Sequence, residues 1–270
     1  MKQLIYERYL EALKISRRKP SLEALTKIIK AHLSYVPFEN ISKLYYVKKY
    51  KAKSIPDFEK YVDGIVKYNF GGTCYSNNYY LNKLLKHLGY NVRLCGADMQ
   101  TPDVHLVNIV EFNKKEYLVD VGYGAPFRHP IPLNLKTNYE LNFGIDKYII
   151  KPRDRRNFSE IQLIRDGIIK HGYILKPDAR SISEFKKVIE KSMESTSTFL
   201  NKILLVRYCE KSSVKIDNFL LVEICESKVN KVMLQNKAEL IGQIYLKFGI
   251  PKEISKESLT VIENLNTSWN

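Results

Sequence analysis

The hydrophobic period changes once along this chain, at Gly89 and Tyr90, and that change narrows what it can fold into. Before it, apolar residues recur at helical spacing; after it they alternate, with β-branched residues and turn signals between the runs. Upstream, Ile5, Tyr9, Ala12 and Leu13 mark one helix, and Leu22, Leu25, Ile28, Ile29 and His32 mark a second that Ser21 opens after Pro20. Phe58, Val62, Ile65 and Val66 mark a third. In the clearest, Leu81, Leu84, Leu85 and Leu88 fall at i, i+3, i+4 and i+7, and Gly89 stands where a left-handed C′ residue ends a helix.

Downstream, NVRLCGADM, VHLVNIVEF and YLVDVGYG read as antiparallel strands, followed by IQLI and IIKHGYIL around the turn Asp166-Gly167. Ser181-x-x-Glu184 is a capping box opening a helix with Ile182, Phe185, Val188 and Ile189 on one face. Strand-like stretches at 203–209, 219–225 and 229–234 precede a helix entered at Asn236-x-x-Glu239 and closed by Gly249 and Pro251. This order predicts an α+β fold in three units: a helical domain over 1–89, an antiparallel β domain over 90–180, and a mixed strand and helix unit over 181–270.

Composition excludes several classes. With 44% hydrophobic residues in 270 the chain can bury a sizeable core. No apolar run approaches the roughly 20 residues that span a bilayer, and the N-terminal stretch carries Glu7 and Glu11 without a small-residue cleavage site, so a cytoplasmic protein with no membrane partner is expected. Cys74, Cys95, Cys209 and Cys225 form no CxxC pair, and no metal is expected. The net charge of +15 favours an anionic partner. The stretch KYIIKPRDRR at 147–156 reads as a solvated basic face.

The stretch NFGGTCYSNN, directly before the strongest helix, carries the chemistry. Gly71 and Gly72 allow a close backbone approach, and Cys74 falls at a helix N-terminus, where free N–H groups and the dipole favour a thiolate. Such a nucleophile needs a base. His32 lies on an apolar helix face, His87 on the polar side of the fourth helix, and His129 and His171 in a Pro-flanked loop and a post-turn strand. His105 opens the strand VHLVNIVEF, and Asp120 interrupts the apolar YLVDVGYG, where a carboxylate needs donors or a cation. In a hairpin pairing Glu111 with Glu116, Asp120 stands diagonal to His105, about 7–8 Å away between backbones. A turn shifted one residue onward separates them by about 13 Å. The sequence leaves both registers open.

These residues resemble the arylamine N-acetyltransferases. The likeness runs through AHLSYVPFENIS (31–42), GGTCYSNN (71–78), HLVN (105–108), YLVDVGYG (117–124), STSTF (195–199) and a terminal helix ending KFGI (247–250). Each motif is weak alone; their order and spacing are specific. The resemblance implies a Cys74–His105–Asp120 triad in a cysteine-protease-like core, and a fold of helical domain, β-barrel and α/β lid. It implies acetyl-CoA as acyl donor, with an arylamine, arylhydrazine or N-hydroxyarylamine acetylated through an acetyl-cysteine. Thr101, Gly124, Thr196 and Ser197 are implied CoA contacts, and Phe38, Tyr123 and Phe127 are candidate faces for an aryl ring.

Two positions depart from the family pattern. Phe70 stands where an arginine usually precedes the glycine pair, which leaves Glu39 either partly solvated or satisfied by another basic residue or by backbone N–H groups. Ser76 replaces a glutamate common in bacterial members. Cys-His-Asp equally serves cysteine peptidases and transglutaminase-like enzymes, the alternative reading. A nucleic-acid partner is not expected, because no DNA- or RNA-binding motif accompanies the basic charge.

Overall fold

The computed structural model describes residues 2–226 and 228–265, so the last five residues of the third unit lie outside the described residues. The first block comprises α1 (Lys2–Ala12), α2 (Leu22–Tyr35), β1 (Phe38–Glu39), α3 (Ile41–Tyr50), α4 (Phe58–Tyr68) and α5 (Cys74–His87). Ser21 caps α2 by accepting the Ala24 N–H at 3.0 Å, and Asp57 caps α4 by accepting that of Lys60 at 2.8 Å. Gly89, at φ +90°, follows the end of α5 as expected. The apolar stripes of α1, α2, α4 and α5 meet in one core around Tyr9, Leu25, Ile29, Tyr61, Leu81 and Leu84. Each of the leucine and isoleucine side chains contributes about 1.5–3 kcal/mol on burial.

The second block is an antiparallel sheet of β2 (Asn91–Asp98), β3 (His105–Phe112), β4 (Lys115–Val119), β5 (Ile131–Pro132), β6 (Tyr139–Phe143), β7 (Asp146–Ile150), β8 (Ser159–Arg165) and β9 (Ile168–Leu175). Their order is β5-β4-β3-β2-β9-β8-β7-β6. The sheet curls like part of a barrel, so that Val107, Ile109 and Leu118 share a core with Tyr148, Ile150, Ile161 and Tyr173. The stretch 147–156 departs from the expected solvated face. Its first part is β7, with Tyr148 and Ile150 buried, while Lys151 pairs with Glu160 at 2.8 Å and Arg156 with Asp154 at 3.0 Å. Flanking charges hid a two-residue alternation.

After a 3-10 turn (Ile182–Phe185) come α6 (Lys186–Lys191), α7 (Thr198–Asn201), β10 (Leu204–Tyr208), β11 (Ser212–Asp217), β12 (Leu220–Cys225), β13 (Lys228–Met233), α8 (Lys237–Phe248) and α9 (Lys252–Leu259). A second antiparallel sheet runs β1-β10-β11-β12-β13. Its edge strand β1 belongs to the helical block: Phe38 pairs with Val206 and Glu39 with Leu205. Leu205, Ile216 and Leu221 pack with Leu240, Ile244 and Phe248 of α8. Among the described residues no helix is long and apolar enough to cross a membrane.

Candidate active site

The loop before α5 lies flat on the PFEN stretch. The Gly72 N–H donates to Pro37 O at 3.4 Å and the Glu39 N–H to Gly72 O at 3.1 Å. A Cβ on Gly71 would stand 1.8 Å from Pro37 O, so only glycine allows this approach. Thr73 is the N-cap and Cys74 the first residue of α5, 7% exposed, with its Sγ 3.7 Å from Val104 O. The residue after Val104, His105, opens β3.

The β3–β4 hairpin takes the first of the two registers. Glu111 pairs with Glu116 and Phe112 with Lys115 around the turn residues Asn113 and Lys114, whose φ angles are 50° and 61°. Continued past Val119, this pairing carries Asp120 toward His105. The His105 Nε2 lies 2.8 Å from Asp120 Oδ2, and Cys74 is near enough to act on the imidazole. With Nε2 committed to Asp120, Nδ1 is the nitrogen left to the sulfur.

Burial by itself would push His105 down, but the Asp120 carboxylate and the Cys74 sulfur outweigh it and raise the imidazole to about 10. Asp120 is held below the usual carboxylate range: burial raises it, and the His105 charge with the Asn78 and Gly122 donors reverses that. Its Oδ1 accepts from Asn78 Nδ2 at 2.8 Å and the Gly122 N–H at 2.9 Å, and its Oδ2 also accepts from the Tyr173 hydroxyl at 2.9 Å.

Sequence reasoning missed Asn78 and Tyr173. Asn78 lies one turn after Cys74 on α5, and its Nδ2 also donates to Leu106 O at 2.6 Å while its Oδ1 accepts the Val121 N–H at 3.0 Å. Asn82 donates to Asn108 Oδ1 at 2.9 Å, and Asn108 Nδ2 donates to Asn78 O at 2.9 Å. The readable signal was Cys74, Asn78 and Asn82 at i, i+4 and i+8, a polar stripe on a helix otherwise packed by leucines. Tyr173 carries no such mark. Gly122 permits the convergence, because a Cβ there would lie 2.7 Å from Cys74 Cα and 2.6 Å from Asn78 Nδ2.

Around this centre, the Tyr123 ring lies 5.7 Å from that of His105 and its hydroxyl 2.8 Å from His171 Nδ1. Phe127, 1% exposed, packs between Tyr123 at 6.1 Å and Tyr148 at 5.3 Å. Phe38 faces Phe199 at 5.7 Å and lies against Gly124, which places Ser197, the N-cap of α7, and neighbouring Thr196 on that side. Thr101 is exposed in the turn between β2 and β3 that leads to Val104.

The other thiols and histidines are placed differently. Cys95 is buried, and burial pushes its thiol up to about 12. Cys209 follows the end of β10 and Cys225 ends β12; both are exposed. His32, pushed down to about 3 by burial, holds the Tyr9 hydroxyl at 2.9 Å, and His87 stacks on Tyr6 at 4.0 Å. Glu39 is fully buried and is satisfied by backbone N–H groups, from Gly71 at 3.1 Å and Ser42 at 2.9 Å. Phe70 fills the arginine position by packing among Tyr45, Tyr46 and Tyr68. No cluster of potential metal ligands occurs among the described residues.

A family model described as N-acetyltransferase matches residues 21–256. The Gallus gallus pineal gland arylamine N-acetyltransferase isozyme NAT-3 is 37% identical over 129 residues, 44% of this chain and 42% of its own length. The chain thus spans less than half of that relative. Homo sapiens arylamine N-acetyltransferase 1 is 31% identical over 217 residues, covering 72% of this chain and 71% of its own length. The solved structure of Mycobacterium marinum arylamine N-acetyltransferase in complex with CoA shares the fold, with a TM-score of 0.79 at 22% identity over 95% of this chain and 99% of its own.

Proposed function

Because the chain belongs to the arylamine N-acetyltransferase family, we propose that it moves an acetyl group from acetyl-CoA to an arylamine, arylhydrazine or N-hydroxyarylamine by way of acetyl-Cys74. The observation that carries this reading is the sulfur at the head of α5 partnered by an imidazole whose far nitrogen is fixed 2.8 Å from a buried carboxylate.

Cys74 Sγ attacks the thioester carbonyl while His105 Nδ1 holds the thiol proton. N–H groups at the α5 N-terminus are placed to support the oxyanion. The tetrahedral species collapses, the CoA sulfur leaves with the proton from His105, and Cys74 carries the acetyl group. The amine then attacks that thioester, His105 accepts its proton, and the proton returns to the departing Cys74 sulfur. Asp120 orients the ring and stabilises its charged form, as the third member of such triads does.

The ligand contacts belong to the same proposal. Phe38 and Tyr123 offer aromatic surface to the aryl group, with Phe127 packed behind Tyr123 instead of facing the ligand; Gly124, Thr196 and Ser197, with Thr101 across the β2–β3 turn, bind CoA, whose phosphates suit the +15 net charge. The test is incubation with acetyl-CoA and a panel of arylamines and hydrazines, with products identified by mass. Acetylated amine, free CoA and parallel double-reciprocal plots are expected. Turnover of peptides or glutamine side chains without acetyl transfer would overturn the reading.

A further inference from the structure

Lys43 is a buried cation that this mechanism leaves unused. It sits in the first turn of α3, 7% exposed. The start of α3 is tied to the nucleophile loop, because Glu39, just before it, accepts the Gly71 N–H and Phe38 bridges to Gly72. The Lys43 ammonium donates to Ser192 Oγ at 3.2 Å, and that hydroxyl donates onward to Ile189 O at 2.7 Å. Among the described residues Lys43 forms no ion pair with a carboxylate, and the ionisable group that acts on it is Cys74.

An ammonium carries three donors, and here one neutral hydroxyl serves them. Burial pushes the group down to about 8, with Cys74 opposing only part of that effect. A buried charge normally has a counter-ion from the protein, because desolvation is otherwise uncompensated. The place where this one lacks it borders the cluster that holds the acyl-accepting sulfur: Ile189, whose carbonyl accepts from Ser192, packs in that cluster with Cys74. An acetyl group brings no charge to that place. An acyl group with a carboxylate one or two carbons beyond its thioester carbonyl does.

We propose that Lys43 is a specificity-determining residue that receives the terminal carboxylate of a dicarboxylic acyl thioester, so that the chain accepts short carboxylated acyl donors at Cys74. This rests on the reading of Cys74 as the acyl acceptor. The chemistry is unchanged: Cys74 Sγ forms the new thioester, the bond to the CoA sulfur breaks, and the thiol proton leaves with CoA through His105. The acyl carboxylate keeps its charge and pairs with the Lys43 ammonium, replacing water it loses on entering the site.

Malonyl-CoA, succinyl-CoA and acetyl-CoA, supplied separately without amine to the wild type, Lys43→Met and Lys43→Arg, test this by the rate of Cys74 acylation read from intact mass. The wild type is expected to take malonyl or succinyl groups. Lys43→Met should lower the carboxylated-to-acetyl rate ratio by about tenfold or more, the scale of one charge-assisted hydrogen bond, and Lys43→Arg should retain more of it. A competition on the wild type needs no variant: with equal malonyl-CoA and propionyl-CoA, malonyl-Cys74 should predominate. Acylation by acetyl-CoA with none by either carboxylated donor would overturn the proposal. So would an equal fall for all three donors in Lys43→Met, the mark of a lysine that holds CoA phosphates or supports Cys74. A wild type acylated by no donor would instead refute the role of Cys74 itself.

Discussion

Four donors converge on the two oxygens of Asp120, from His105, Asn78, Gly122 and Tyr173, and this sets the charge of His105. The imidazole, ordinarily near 6.5, is raised to about 10 in the fold. Below the lower value both folded and unfolded chains hold the proton, so the stabilisation is fully present there, and it is lost as pH rises toward the upper value. Asp120→Asn removes the carboxylate that supports the imidazolium and should destabilise the protein by about 3 kcal/mol near neutral or lower pH. In urea titrations its deficit against the wild type should be greatest near pH 6 and should shrink toward pH 10. A deficit that grows with pH would contradict this origin. The same variant should slow acetyl transfer by about a thousandfold or more, read as kcat. Gly122→Ala acts differently. Its methyl group meets Cys74 Cα and Asn78 Nδ2, so it should displace the thiol and reduce Cys74 alkylation by iodoacetamide at least about tenfold, with the Cys209 and Cys225 thiols as internal controls. Unchanged Cys74 labelling would contradict the tight fit.

The β3–β4 hairpin decides whether His105 and Asp120 meet, and its turn places two non-glycine residues, Asn113 and Lys114, in the left-handed region. Asparagine tolerates that conformation; lysine is strained there. Lys114→Gly should therefore stabilise the protein by about 1 kcal/mol, seen as a higher urea midpoint, and leave acetyl transfer unchanged. A lower midpoint would mean that the turn does not limit the hairpin. That turn also explains why the sequence left the register open: lysine is a poor marker for a position that favours glycine. Elements with one apolar stripe, such as α2 and α5, were legible from spacing, and so was the hairpin at Asp166 and Gly167. The helix α3 was not, because lysines and tyrosines interleave with its buried Ile41, Leu44 and Tyr45. Charges masked β7, and β11 offers only Val214 and Ile216 as apolar alternation. Within the site, Cys74 was readable from the glycines before a strong helix, and His105 and Asp120 from their place in apolar strands. Asn78 and Tyr173 act through a neighbour on another element, a relation that linear spacing does not mark.

At the scale of the molecule, three parts of the chain meet at one thiol. The head of α5 brings Cys74 and Asn78, the curled sheet brings His105, Asp120 and Tyr173, and the β1–β10 pairing draws α7 and Ser197 toward Phe38. Phe38 belongs to the core beneath α5, and Phe70, just before the glycine pair, to the core of the second sheet. Around Phe70 the assembly is held by aromatic packing among Tyr45, Tyr46 and Tyr68, while backbone N–H groups satisfy Glu39. The central claim is that this arrangement makes Cys74, and no other thiol, an acyl acceptor. Incubating the folded protein with acetyl-CoA in the absence of amine, followed by intact-mass analysis and peptide mapping, tests it most directly. One acetyl group on Cys74, absent from Cys74→Ala, is the predicted result; a folded protein left unmodified, or one acetylated at Cys95, Cys209 or Cys225 instead, would contradict it.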